Sequence, residues 1–123
     1  MEVQLKIKIP KKRHFEGVID TDYEADRFGN YFAEKLMLIV ADMATRSLET
    51  VNQLHTFADE YDVYYEAIPP TTKKEGTIIL HVKLPDYIHA GSTFIDVLKF
   101  YEKVFQRILY KEYNGNYYRG GKK

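Results

Sequence analysis

The stretch Thr77–Leu84, TIILHVKL, sits between Gly76 and Pro85 and alternates without a fault. Ile78, Leu80, Val82 and Leu84 fall on one side; Thr77, Ile79, His81 and Lys83 fall on the other. Period-two alternation is the signature of a strand that buries one face and turns the other to water. A chain built around such a strand must supply partners for its two edges and a cover for its apolar face.

Two further segments qualify as strand partners. Glu2–Ile9, EVQLKIKI, sends Val3, Leu5, Ile7 and Ile9 one way and Gln4, Lys6 and Lys8 the other. Pro10 ends it, because proline has no N–H for a continuing ladder. Asp62–Ile68, DVYYEAI, is closed by Pro69-Pro70. The charged turn Lys73-Lys74-Glu75-Gly76 then leads into the alternating strand, which predicts a hairpin.

Two helical patterns supply the cover. Thr21 and Glu24 form a T-x-x-E capping box, with acids crowding the first turn as the helix dipole favours. At about 100° per residue, Phe28, Phe32, Leu36, Ile39, Val40, Met43, Val51, Leu54, Phe57 and Tyr61 make one stripe. Ala33, Met37, Ala44 and Leu48 widen it to roughly 200°, more than one packing partner covers. A single helix over this pattern would run ~58 Å, too long for the domain, so a bend or break is expected around Thr45–Ser47, with Gly29-Asn30 a further weak point. The second pattern, capped by Ser92 or Thr93, aligns Phe94, Val97, Leu98, Tyr101, Val104, Phe105, Ile108 and Leu109. Lys99, Lys103, Gln106 and Arg107 face out from it.

The order β-α-β-β-α, with room for a short fourth strand over 116–119, predicts an α+β fold. The expected arrangement is a ferredoxin-like split βαβ sandwich with both helices on one face of an antiparallel sheet. Residues 1–113 form a single domain and 114–123, rich in Tyr, Gly and basic residues, a flexible tail. The 123 residues suffice for one core. Cysteine is absent, which excludes disulfides, thiolate nucleophiles and zinc-thiolate sites. No apolar run approaches a membrane span and no signal-peptide pattern is present, so a cytoplasmic protein is expected.

Net charge is zero, but its distribution is uneven. If the helices cover the Val3/Leu5/Ile7 and Ile78/Leu80/Val82 side, the opposite sheet face presents Gln4, Lys6, Lys8, Tyr64, Glu66, Ile79, His81 and Lys83. Stacking side chains take bases and lysines take phosphates on sheet faces of this kind, so single-stranded DNA or RNA is the expected partner. The basic segment Lys11, Lys12, Arg13 and the tail residues Tyr117, Tyr118 and Arg119 extend the candidate surface. The RNA-recognition-motif family carries K/R-G-F/Y-G/A-F-V-x-F/Y on its third strand. The matching stretch, Glu75 to Val82, keeps the glycine and lacks the stacking aromatics, so the chain is not a standard member.

Other chemistries fare worse. His81-Val82-Lys83 followed by Tyr101 on a helix is similar in layout to the HUH-endonuclease family, which would imply a nucleic-acid nickase. The second histidine is missing, and Tyr101 falls in the apolar stripe. Asp20 to Asp26 has calcium-loop spacing but places Ala25 where that loop needs glycine and Tyr31 where it needs glutamate. His81, Asp86 and His89 have the spacing to converge at the strand end, but a solvent-exposed histidine on the strand and a second in the loop are the expected account. His55 sits at the edge of an apolar stripe. There is no nucleotide fingerprint. No catalytic residue, metal, cofactor or small-molecule ligand is expected. The surplus apolar width of the first helix instead predicts a homodimer through Leu36, Val40, Met43, Leu48, Val51 and Leu54, or a protein partner for an inhibitor or accessory factor.

Overall fold

The alternating strand takes the middle position, where it can be paired on both sides. In the computed structural model, which describes residues 1–11, 21–47, 57–86 and 93–113, the elements in order are β1 (Glu2–Ile9), α1 (Thr21–Ser47), β2 (Asp62–Ile68), β3 (Gly76–Lys83) and α2 (Thr93–Tyr113). The sheet order is β1-β3-β2 and both pairings are antiparallel. The first two strand ranges match those expected from the alternation, and β3 starts and stops one residue early. Among the described residues the fold is thus α+β, with a three-stranded antiparallel sheet. Residues 116–119, where the sequence leaves room for a fourth strand, lie outside the described residues, as does the whole 114–123 tail.

Both helices lie on one sheet face and share a core with it. Leu5, Ile7, Ile9, Ile78, Leu80 and Val82 are fully buried beneath Phe32, Leu36 and Val40 of α1 and Leu98 and Leu109 of α2. The Phe32 and Phe105 rings stack with centroids 4.7 Å apart and tie the helices together. Beyond α1, a helical turn at 57–60 places Phe57 against Phe94, centroids 5.9 Å apart.

α1 is helical through Ser47, so its described run ends inside the Thr45–Ser47 region where the pattern predicts a bend or break. In that last turn Thr45 Oγ1 donates back to the Ala41 carbonyl at 2.9 Å, a bond of the kind that slightly bends and weakens a helix. The continuation through Leu48, Val51 and Leu54 lies outside the described residues. Gly29, by contrast, is not a weak point. It is buried where α1 passes over β2, and a Cβ there would lie 2.7 Å from Tyr65 Cε2 and nearer still to Cδ2. Glycine is what lets the helix approach. Next to it the Tyr65 hydroxyl donates to Asp26 Oδ1 at 2.6 Å, which holds that proton and raises the Tyr65 pKa, with desolvation adding to the effect.

The outer edge of β1 is closed by side chains from α2. Glu102 Oε2 accepts from the Lys6 N–H at 2.8 Å. Gln106 Oε1 accepts from the Lys8 N–H and its Nε2 donates to the Lys8 carbonyl, both at 2.8 Å. Lys99 Nζ donates to the Gln4 carbonyl at 3.3 Å. These bonds fill the ladder positions that an edge strand otherwise leaves open.

Two outcomes follow from the α1–β2 contact. Gly29→Ala gains about 1 kcal/mol of helix propensity but overpacks against Tyr65, which typically costs about 1–3 kcal/mol. Denaturant unfolding should therefore show a net loss, converted to a gain in a Tyr65→Ala background where the space is open. Tyr65→Phe should cost about 1 kcal/mol at neutral pH. Because the folded pKa lies above the unfolded value of about 10, that difference should be complete below pH ~10 and fade as pH rises through the folded value. A Tyr65→Phe deficit unchanged at high pH would contradict the assignment.

Candidate nucleic-acid interface

The register fixes what the open sheet face presents. Its cross-strand rows are Glu2–Lys83–Asp62, Gln4–His81–Tyr64, Lys6–Ile79–Glu66 and Lys8–Thr77–Ile68. Lys6, Lys8 and Lys83 are exposed on it, and Tyr64 is 37% exposed. Glu2, Asp62 and Glu66 share the face and balance the three lysines. Alternation alone places Glu66 on this face; Glu2 and Asp62 have the same parity and belong with it.

His81 does not stand in solvent as expected. It is only 7% exposed, although it points to the uncovered side of the sheet. The Tyr64 ring lies flat on it, centroids 4.6 Å apart and planes 7° from parallel. Nε2 is 3.1 Å from Glu66 Oε1, where the ring N–H donates to the carboxylate. Nδ1 is buried 3.5 Å from Glu2 Oε1 and makes no hydrogen bond. A central-strand side chain has neighbours on both flanks, and here both flanks close over it. His81 is thus an internal support, and one face of Tyr64 is already occupied.

The Tyr64 hydroxyl donates to Glu2 Oε1 at 3.1 Å. That bond, then desolvation and the charges of Glu2, Glu66 and Asp62, push the Tyr64 pKa up. Lys83 Nζ lies 5.7 Å from the Tyr64 ring centroid. This end of the face is a neutralised cluster of acids around a lysine, a tyrosine and a histidine, with little positive field to offer a phosphate.

Positive charge collects instead around the β1 edge. A shallow open groove of about 450 Å³ is lined by Lys6, Glu102, Lys103, Gln106, Arg107 and Tyr110. Glu102 is its sole acid and is committed to the Lys6 N–H and, at 3.9 Å, to Lys99. Lys103 and Arg107 are exposed and meet no carboxylate within 4.0 Å among the described residues. Tyr110 is 40% exposed.

On α2 the basic residues recur every fourth position, at Lys99, Lys103, Arg107 and Lys111, and neighbours at this spacing share a helix side. The ridge runs ~18 Å along the helix. The helical pattern alone marks Lys103 and Arg107 only as outward-facing. Their i, i+4 recurrence is the available signal, and what it lacks is the knowledge that β1, with Lys6 and Lys8, lies alongside.

Of the remaining expected contacts, Lys11 is exposed just past β1. Lys12, Arg13, Tyr117, Tyr118 and Arg119 lie outside the described residues. The expected dimer residues divide. Leu36 and Val40 are fully buried in the chain's own core, Met43 packs half-buried against it, and Leu48, Val51 and Leu54 lie outside the described residues. A side chain sealed within one chain has no surface left for a second, so Leu36→Glu would unfold the protomer rather than separate subunits. Met37, at 41%, is an exposed part of the wide stripe, and Leu38, at 67%, lies exposed outside it. Tyr101 is half-buried, with its ring against Phe100 and Phe105. Among the described residues no group of three or more His, Asp or Glu side chains is arranged to hold a metal ion, and no helix is long and apolar enough to cross a membrane.

Compared with protein-family models, curated proteins and solved structures, the chain matches none.

The Tyr64–Glu2 bond is open to titration. Followed by NMR of the Tyr64 ring, with Tyr64→Phe for assignment, the hydroxyl should ionise above the ordinary value near ~10. Glu2→Gln removes both the charge and the carboxylate acceptor and should lower that value. A titration indifferent to Glu2→Gln would show that the bond is not formed in solution.

Proposed function

We propose that the chain is a non-catalytic domain that binds single-stranded nucleic acid along the β1–α2 side of the fold, with a ferredoxin-like arrangement as its scaffold. The scaffold reading draws on the antiparallel β1-β3-β2 order and on the two helices sharing one sheet face. The observation that carries the functional reading is the basic ridge of α2 beside Lys6 and Lys8, with Tyr110 in the groove between. A positively charged groove that tracks the backbone, with an aromatic ring for a base, is the general means of gripping single strands without sequence preference.

The dimensions agree. At the 3.4 Å rise of a fully stacked strand, ~18 Å spans at most about five nucleotides, at the lower end of the site sizes of small single-strand binders. Lys103 and Arg107 take phosphates as free cations. Glu102 and Gln106 are held by the β1 backbone and keep the groove floor in place. The open sheet face contributes Lys6 and Lys8 at its β1 side, while the Tyr64–His81 end serves the fold.

The test is fluorescence anisotropy with labelled single-stranded and duplex oligonucleotides at several salt concentrations. Submicromolar single-strand binding that weakens steeply with salt is the expected result, since each phosphate neutralised releases counterions. Lys103→Ala with Arg107→Ala should weaken binding and reduce the log–log salt slope by about 1.4, roughly 0.7 for each phosphate no longer neutralised. Lys83→Ala, at the neutralised end, should change the slope far less. Absence of binding at low salt would overturn the function; binding that ignores Lys103 and Arg107 would overturn the site.

A further inference from the structure

The two edges of the sheet are treated differently. On β1 the outward-pointing backbone groups belong to the even-numbered residues, as the bonds of Gln4, Lys6 and Lys8 to α2 demonstrate. The odd-numbered residues of β1 therefore face β3, and pair with Val82, Leu80, Ile78 and Gly76. In β3 this leaves His81, Ile79, Thr77 and Lys83 directed at β2, where they meet Tyr64, Glu66, Ile68 and Asp62. Alternation in an antiparallel ladder then turns the N–H and C=O groups of Val63, Tyr65 and Ala67 outward. Among the described residues no side chain caps them. The strand carries neither lysine nor proline between Asp62 and Ile68, the usual means of blunting an edge.

We infer that this edge joins a second copy of the chain, β2 against β2, antiparallel about a two-fold axis at Tyr65. Charge selects the register. Centred on Tyr64, the pairing would set Asp62 against Glu66 of the other copy. Centred on Glu66, it would set that acid against itself and run Asp62 onto Pro70, which has no N–H. Centred on Tyr65, it sets Asp62 against Ile68 and Tyr64 against Glu66, so no two acids oppose. The outward groups of Val63 and Ala67 meet each other, and those of Tyr65 meet their own copies. All seven residues of the strand are used before Pro69 ends it.

The surroundings fit a second copy. Ile68, 53% exposed, gains a neighbour at the strand end. Met37 lies on the same side of α1 as Asp26 and Ala33, toward β2, and its 41% exposed side chain flanks the new contact. The two-fold makes the interface isologous and closed, so that a six-stranded sheet results and not an open polymer. The β1–α2 ridges lie at its two far ends, and the dimer does not depend on what they bind.

The experiment is sedimentation equilibrium on the full chain at several concentrations, for the unmodified protein and for Ile68→Asp, Ile68→Lys and Ala67→Pro, each checked for fold by circular dichroism. The unmodified chain should dimerise. Ile68→Asp sets an acid against Asp62 twice per dimer and should raise the dissociation constant roughly twofold to thirtyfold. Ile68→Lys, at the same exposed position, should leave it unchanged or lower it. Ala67→Pro removes an outward N–H that the monomer does not use and should raise the constant roughly tenfold or more. A monomer at every concentration overturns the inference, as does a dimer whose constant ignores Ile68→Asp. Should Ala67→Pro fail to fold, the opposed pair at Ile68 still decides the matter.

Discussion

Pairing of β3 on both flanks is the constraint from which most of the structure follows. Each of its side chains has a neighbour on β1 and another on β2, whichever face it points to. On the helix side this produces Ile78, Leu80 and Val82 with no exposure at all. On the open side the same geometry closes Tyr64, Glu66 and Glu2 around His81. One constraint thus builds the core and removes a histidine from the surface on which its parity placed it.

Position in the sheet also sorts the charges. Lys83, the lysine of the central strand, is flanked by Glu2 on one side and Asp62 on the other. At the β1 edge no further strand intervenes among the described residues, and the neighbour is a helix with basic residues on its near side. Positive potential accumulates at the margin of the sheet and not at its middle. A chain with no net charge can in this way carry a cationic strip, because attraction to an anion depends on local arrangement more than on the total.

Much of the fold is legible from local periodicity. The alternation in EVQLKIKI and TIILHVKL, the hairpin turn before Gly76 and the apolar stripe of α2 are each contained within one segment, and each can be read there. The features that are not legible involve two segments far apart in the chain. Gly29 reads as a helix weakness until Tyr65 of β2 is found against it, since only the approach of the two elements explains the missing side chain. His81 reads as exposed until Tyr64 covers it. Leu36 and Val40 read as surplus apolar surface until the sheet and α2 account for them. Glu2 and Asp62 are a different kind of omission: their parity already places them beside the lysines.

The closure of β1 by α2 makes some surface positions less replaceable than their exposure implies. Gln106 gives and takes one hydrogen bond with the same residue of β1, as a strand residue would. Its amide is a short piece of surrogate backbone. Of the natural side chains, asparagine carries the same pair of groups on a stem one methylene shorter, and glutamate keeps the acceptor while losing the donor. Glu102 needs only an acceptor, and a glutamine could stand in for it. On a helix wheel these two positions look as free as Lys103 and Arg107 beside them, yet they answer to the sheet. The outward side of α2 therefore carries two interleaved alphabets, one set by charge and the other by the geometry of a missing strand.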